Sequence, residues 1–216
     1  MMSKSSEIPQ VKDPWYACLL TPSHFFSRLV FPQVKDWRKD NPSNVILNKE
    51  QILVIVRRLA KRIILDNQQG ELNFVIVLDG ADRFSKDLIT EINKINKLKI
   101  KKHYIKLKSY SGARSVGRIK IIKAITSDIS NKDLIIIEDI VDTGLTSSFL
   151  RKYLIKKKAK SVKLCSLLNK PSRRKVKVKI DYLGNTIPNL FVIGYGMDYN
   201  GKYRGLDSIK LLELGG

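Results

Sequence analysis

Cysteine is scarce in this chain: Cys18 and Cys165 are the only two among 216 residues. That excludes a disulfide framework and suits a reducing compartment, so a cytoplasmic protein is expected. Long hydrophobic runs are missing too. Runs such as Phe74 to Leu78 and Leu134 to Ile137 fall far short of the roughly 20 apolar residues a membrane-spanning helix needs, and no membrane partner is expected. The first ten residues, MMSKSSEIPQ, have no apolar segment of the kind a secretion signal requires and read as a disordered start. Negative charge is in short supply: 20 Asp and Glu stand against 41 Lys and Arg, for a net charge of +21 and a pI near 10.0. So large an excess raises a nucleic-acid binder as a possibility. The bases, however, are spread from Lys35 to Lys210 and accompany abundant Ile and Asn. We read them as a solvated basic surface that attracts small polyanions, with nucleic acid not expected as the partner.

What is present is ordinary apolar content, 43%, in a length that suits one domain with a sizeable core and a small appended piece. Residues 11–48 interleave Trp15, Tyr16, Phe25, Phe26, Phe31 and Trp37 with Pro14, Pro22, Pro32 and Pro42. An irregular N-terminal arm over 1–44 is expected, followed by a core over 45–216. His24 has no partner nearby in sequence and reads as a structural or surface histidine. Asn48, with Gln51 three residues on, makes a capping signature. Ile52, Leu53, Ile55, Val56, Leu59, Ile63 and Ile64 then recur with a period of about 3.6 residues, which predicts a helix over about 48–66.

Phe74 to Leu78 reads as a buried strand, and Asp79-Gly80-Ala81 as a turn into a helix over about 83–95. The alternation from His103 to Lys108 suggests an edge or outer strand, and Ile119 to Ile125 a returning one. Between them, Ser109 to Arg118 is long, Gly/Ser-rich and weakly patterned, as mobile loops are. A helix over 147–158 and a strand over Ser161 to Leu168, closed by Asn169-Lys170-Pro171, follow. Arg173, Arg174, Lys175, Lys177 and Lys179 form a basic run, read as a solvated ribbon and the best local candidate for a nucleic-acid patch. Strands alternating with helices predict an α/β fold with a twisted, mainly parallel sheet flanked by helices.

The chain is organised around 131–149, NKDLIIIEDIVDTGLTSSF. Leu134 to Ile137 has the unbroken branched apolar pattern of a strand buried on both faces. Glu138 and Asp139 are expected to end it and to face a crevice, because an unpaired charge is costly to bury. Asp142-Thr143-Gly144-Leu145-Thr146 follows as a hydroxyl-rich turn, and Ser147 to Arg151 as the first turn of a helix. Strand, glycine loop and helix N-terminus together form a phosphate cradle. A mere cap would not need three acids and three hydroxyls so close together.

The stretch EDIVDTGLT resembles, nearly letter for letter, the phosphoribosyl-pyrophosphate motif of the type I phosphoribosyltransferases, in their hypoxanthine-guanine branch. Three further blocks match in order: VLDGADRFSKDLI, the Ser109-Tyr110 loop, and FVIGYGMDYNGKYRGL. The similarity covers roughly 45–214, and the segment Pro22 to Pro32 loosely resembles the lead-in of eukaryotic-type members. It implies the type I phosphoribosyltransferase fold, with a small hood and N-terminal lobe and a flexible lid over 109–118.

The resemblance also implies roles. Asp79 and Gly80 would form a first phosphate loop with a non-proline cis peptide at Leu78–Asp79, although Asp79 stands where relatives commonly have a basic residue. Ser109 and Tyr110 would close the lid. Glu138 and Asp139 would bind the ribose hydroxyls directly or through Mg2+, and Thr143, Gly144, Leu145 and Thr146 would hold the 5-phosphate. Asp142 would be the base. Lys170 would donate to the purine's exocyclic oxygen, Phe191 would stack on the base, and the Val192 backbone would read its edge. Asp198 would join the magnesium site and Arg204 would bind pyrophosphate. The expected partners are phosphoribosyl pyrophosphate and 6-oxopurine bases, and the expected assembly is a homodimer or homotetramer. The rival expectations are an RNA-binding regulator or a non-catalytic member built on the same fold.

Overall fold

A computed structural model of the chain describes residues 44–68, 70–96, 98–112 and 115–212, with the backbone alone over 109–112 and 115–118. The arm expected over 1–44, His24 included, lies outside the described residues except for Asn44, as do Ala113 and Arg114 at the tip of the expected lid.

A six-stranded sheet forms the body, in the order β4-β3-β2-β5-β6-β7. Its strands are β2 (Glu71–Leu78), β3 (Lys99–Gly112), β4 (Ser115–Lys123), β5 (Asp133–Val141), β6 (Ser161–Asn169) and β7 (Tyr182–Thr186). Every neighbouring pair is parallel except β3–β4, an antiparallel hairpin. The edge strands are therefore β4 and β7. The alternating segment His103 to Lys108 lies one strand further in, between β2 and β4, because the hairpin folds back to cover it.

Helices α1 (Lys49–Asp66), α2 (Ala81–Ile95) and α3 (Leu145–Lys156) connect and cover the strands. The predicted cap on α1 is present: Asn48 accepts from the Gln51 N–H at 2.8 Å, and Gln51 accepts from the Asn48 N–H at 2.9 Å. On one face of the sheet, Val75, Ile105, Leu134 and Ile136 pack with Leu150 and Leu154 of α3. Residues of opposite parity, among them Phe74, Ile76, Ile135 and Ile137, are also fully buried. The continuous apolar run in β5 is what a strand covered on both faces requires.

A second, antiparallel sheet joins β1 (Val45–Leu47), β9 (Ile209–Leu211) and β8 (Val192–Ile193) in the order β1-β9-β8. No helix among the described residues is long and apolar enough to cross a membrane.

Candidate active site

Glu138 and Asp139 do not end their strand. The β5–β6 ladder runs on through Ile140↔Leu168 and Val141↔Asn169, since backbone pairing is indifferent to the side chains it carries. Successive side chains on a strand point to opposite faces. Glu138 continues the Leu134–Ile136 row toward α3, and Asp139 continues the Ile135–Ile137 row toward the turn after β2. Glu138 therefore does not look into an open crevice: it is 3% exposed. Its Oε2 accepts from the Ser147 hydroxyl at 2.7 Å, while Oε1 is buried without a hydrogen-bond partner. Burial lifts this carboxyl to about 8, a rise that Asp139 adds to and that Ser147 and Arg174 oppose.

Asp139 is also raised by burial. Backbone N–H groups at 139 and 140 draw it down, as does Arg204, while Asp198 pushes it up. A carboxylate in the field of both Arg204 and Asp198 places the strand tip and the C-terminal block in one site. Asp139 lies so close to Gly80 that a methyl there would run into its carboxyl. The Gly80 carbonyl in turn fills the space beside Gly196, whose φ of 100° suits glycine. The Leu78–Asp79 peptide bond is cis, as the resemblance implies.

Past β5 the chain turns through Asp142 and Thr143 to Gly144, which takes φ 80° just ahead of α3. Room for a side chain is lacking there as well: the Val176 carbonyl lies 2.6 Å from where a Cβ would sit. The first N–H groups of α3 have no preceding helical carbonyl and so point out of its N-terminus, available to an anion.

The basic run after β6 proves to be a strap across this turn. Lys175 and Val176 donate their N–H groups to the Thr143 carbonyl at 2.9 and 3.1 Å. Arg174 donates to the carbonyls of Asp142 at 3.1 Å and Val141 at 3.2 Å and to the Asn169 side chain. Arg174 is therefore a structural brace. Asp142 keeps a buried Oδ1 with no hydrogen-bond partner, 3.5 Å from Arg173 Nε. Lys170 is buried beside it, its ammonium shifted down by desolvation, up by Asp142 and down by Arg173.

The C-terminal block is pinned to α2. Arg83 donates to the carbonyls of Gly205 and Leu206, each at 3.0 Å, pairs with Asp207, and lies 5.1 Å from the Tyr195 ring centroid. The Tyr195 hydroxyl donates to Asp87 at 2.5 Å. Within the block, Arg204 donates to the Gly196 carbonyl at 2.6 Å and pairs with Asp198 at 2.7 Å, and Asp198 also accepts the Gly201 N–H at 2.8 Å.

Phe191 keeps 41% exposure, its ring set edge-on to Tyr199 with centroids 5.6 Å apart, next to buried Val192 in β8. Asp79, the residue of doubtful sign, pairs with Lys106 at 2.7 Å. Ser109 and Tyr110 belong to β3, but their side chains lie outside the described residues. Arg83, Asp87, Lys106, Ser147, Arg174 and Tyr195 are contributors that sequence reasoning did not assign. Arg83, Asp87 and Tyr195 lie inside matched blocks and Ser147 in the stretch 131–149 without a role being given to them, and the basic run that holds Arg174 was read as a ribbon.

Comparison with known proteins places the chain in a family. The phosphoribosyl transferase domain matches residues 43–200. A hypoxanthine-guanine phosphoribosyltransferase of Bacillus subtilis is 36% identical over 176 residues, covering 81% of this chain and 96% of the relative. The bifunctional protein TilS/HprT of Listeria monocytogenes is 35% identical over 170 residues, and there the chain spans about a quarter of the relative, 26%. A crystal structure of a hypoxanthine-guanine phosphoribosyltransferase from Bacillus anthracis superposes with a TM-score of 0.74 at 36% identity, covering 79% of this chain and 99% of that one. With the domain matched over residues 43–200 and a fold shared with such a structure over 79% of its length, this chain belongs to the phosphoribosyl transferase domain family.

Proposed function

We propose that this chain is a purine-salvage transferase, which moves the 5-phosphoribosyl group of phosphoribosyl pyrophosphate to N9 of hypoxanthine or guanine and yields IMP or GMP and pyrophosphate. One observation carries the reading. The Asp79-Gly80 loop and the Asp198–Arg204 pair meet around the Asp139 carboxyl at the tip of β5, and the glycine turn before α3 leaves the end of that same strand. A site with anion-binding amides at one end, carboxylates in the middle and an arginine beyond them suits a sugar that carries phosphate at one end and diphosphate at the other.

The bond from C1′ to the diphosphate oxygen breaks as the C1′–N9 bond forms, and the purine's N7 proton passes to Asp142. The Asp142 Oδ1, buried, without a hydrogen bond and ion-paired with Arg173 at 3.5 Å, is placed to accept it. Gly144, Leu145, Thr143 and Thr146 cradle the 5-phosphate, Glu138 and Asp139 hold the ribose hydroxyls, and Arg204 with the backbone of Asp79 and Gly80 binds the diphosphate. Lys170 faces the purine's exocyclic oxygen, Phe191 stacks on the ring, and the Val192 backbone reads its edge. Ser109 and Tyr110 close over the site and exclude water from the ribosyl centre.

Among the described residues, no three His, Cys, Asp or Glu side chains gather into a metal cage. Magnesium takes one or two carboxylates and completes its shell with water and phosphate oxygens. The unpartnered Glu138 Oε1 and the neighbouring Asp139 and Asp198 offer such carboxylates. When bound with the diphosphate, magnesium neutralises charge on the leaving group. A cytoplasmic setting, supported by the free, buried thiol of Cys165, and assembly as a homodimer or homotetramer belong to the same reading.

The experiment mixes the protein with magnesium, phosphoribosyl pyrophosphate and each 6-oxopurine and separates the products. Nucleotide and pyrophosphate in equal amounts are expected. Absence of both with every base would overturn the reading.

A further inference from the structure

Asp79 places a negative charge on a loop that, on the reading above, receives a diphosphate. Taken alone it would repel its own substrate. The neighbouring strand supplies the answer. Leu78 and Lys106 are register partners in the parallel β2–β3 pair, so the residue after Leu78 lies within reach of the lysine. The Lys106 ammonium donates to Asp79 Oδ2 at 2.7 Å.

Two observations indicate that this lysine is kept for more than the fold. Both partners remain partly open to water, at 42% for Lys106 and 45% for Asp79, and ion pairs so exposed add little stability. Lys106 is also the register partner of Lys123 across the β3–β4 hairpin, and like charges set opposite each other on antiparallel strands are unfavourable. The placement is tied to the site, since Gly80, next along the loop, lies against Asp139 and Gly196.

We propose that Lys106 is a binding residue for the substrate's diphosphate, with Asp79 as the positioning residue that holds its ammonium at the mouth of the site until the polyanion arrives. A lysine ammonium has three donors on a flexible stem. It can therefore keep one N–H on Asp79 while turning the others toward phosphate oxygens. The loop's basic group thus comes from the adjacent strand. The inference rests on the transferase reading for the identity of the diphosphate, and its test separates the two.

Initial rates are measured for the full chain and for Lys106→Met, Lys106→Arg and the double variant Asp79→Asn/Lys106→Met, varying phosphoribosyl pyrophosphate and hypoxanthine in turn. Binding of magnesium pyrophosphate to each protein is measured by calorimetry. Lys106→Met should raise KM for phosphoribosyl pyrophosphate and Kd for pyrophosphate about tenfold, the weight of one hydrogen bond to a charged group. KM for hypoxanthine should stay within about twofold, and Lys106→Arg should restore most of the loss.

The double variant decides between contact and mere neutralisation. If Lys106 touches the diphosphate, the double variant stays impaired; if it only cancels Asp79, the double variant returns to wild-type values and the proposal falls. An unchanged pyrophosphate Kd in Lys106→Met also overturns it. A wild-type protein that binds pyrophosphate more tightly than Lys106→Met yet converts no purine would leave this contact standing and remove the transferase reading alone.

Discussion

Replacing Glu138 by Gln should make the protein more stable at high pH and worse as an enzyme, and the structure sets the size of the first effect. In the folded chain, burial lifts this carboxyl from 4.5 to about 8. Between those two values the folded state holds a proton that the unfolded state has released, so stability is lost as pH rises through that window. At about 1.36 kcal/mol per pH unit the loss approaches 5 kcal/mol, roughly, for a rise from 4.5 to about 8, and water entry and local relaxation reduce it to a few kcal/mol. Glutamine has nearly the shape of the protonated side chain, carries no charge at any pH, and can accept the Ser147 hydroxyl through its carbonyl oxygen.

The two proteins should therefore unfold at the same urea concentration near pH 5. Near pH 9 the variant should be the more stable by about 2–4 kcal/mol. Far-UV circular dichroism at pH 5, 7 and 9 reads the difference, in which the titration of groups that do not interact with Glu138 cancels. A difference that does not change with pH would refute the burial argument, and a variant less stable than wild type at pH 9 would refute it outright. Nucleotide synthesis by the variant should fall as its stability rises, the pattern of a group kept for function against the interest of the fold.

Three further outcomes follow from the geometry. Asp142→Ala should lose about 10²–10⁴ in kcat while retaining affinity for nucleotide; equal turnover in steady-state assays would remove Asp142 as the base. Gly80→Ala puts a methyl into the Asp139 carboxyl, so nucleotide synthesis should fall more than about tenfold with the far-UV spectrum intact; full activity would show that the loop does not abut the strand tip. His103 is 4% exposed, bonded to Ser127 at 2.6 Å and to Asn73 at 3.3 Å. Its pKa is lowered by burial, then by Lys132 and Lys101 against the pull of Glu71. The unfolded chain gains a proton below about 6.5 that the folded chain refuses, so melting temperature should drop as pH falls from 7 to 5 more steeply than in His103→Asn.

How much of this was legible in the sequence differs from element to element for physical reasons. α1 was legible at both ends because its cap and its apolar period are local, and the cap is present as read. β2 and β5 were legible in position because a strand covered on both faces must be apolar without interruption, and β6 through a mostly apolar run closed by Asn169-Lys170-Pro171. Their lengths were not, since ladder pairing runs on past the apolar residues: β5 continues four residues beyond Ile137, to Val141. The three-stranded sheet of β1, β9 and β8 could not be read from any window. Its strands are two or three residues long, and β1 pairs with a segment more than 160 residues away.

Within the candidate site, sequence reasoning gave roles to the residues of the proposed reaction and none to those that hold them. Arg174 was indistinguishable from its basic neighbours because two of its partners are main-chain carbonyls more than 30 positions away. Lys106 was similarly hidden in a lysine-rich strand and becomes visible only through its register with Leu78. The expectation that failed outright is the more informative one. The rule that a carboxylate does not enter the interior predicted a crevice for Glu138, yet the side chain is buried, with one oxygen bonded to a serine and the other to nothing. Strand alternation leaves no other outcome, because a pair of adjacent acids on β5 must straddle the sheet, one under α3 and one over the loop after β2. Only a site needing carboxylates on both sides of that strand tip would keep them adjacent, so the broken rule and the motif mark the same place.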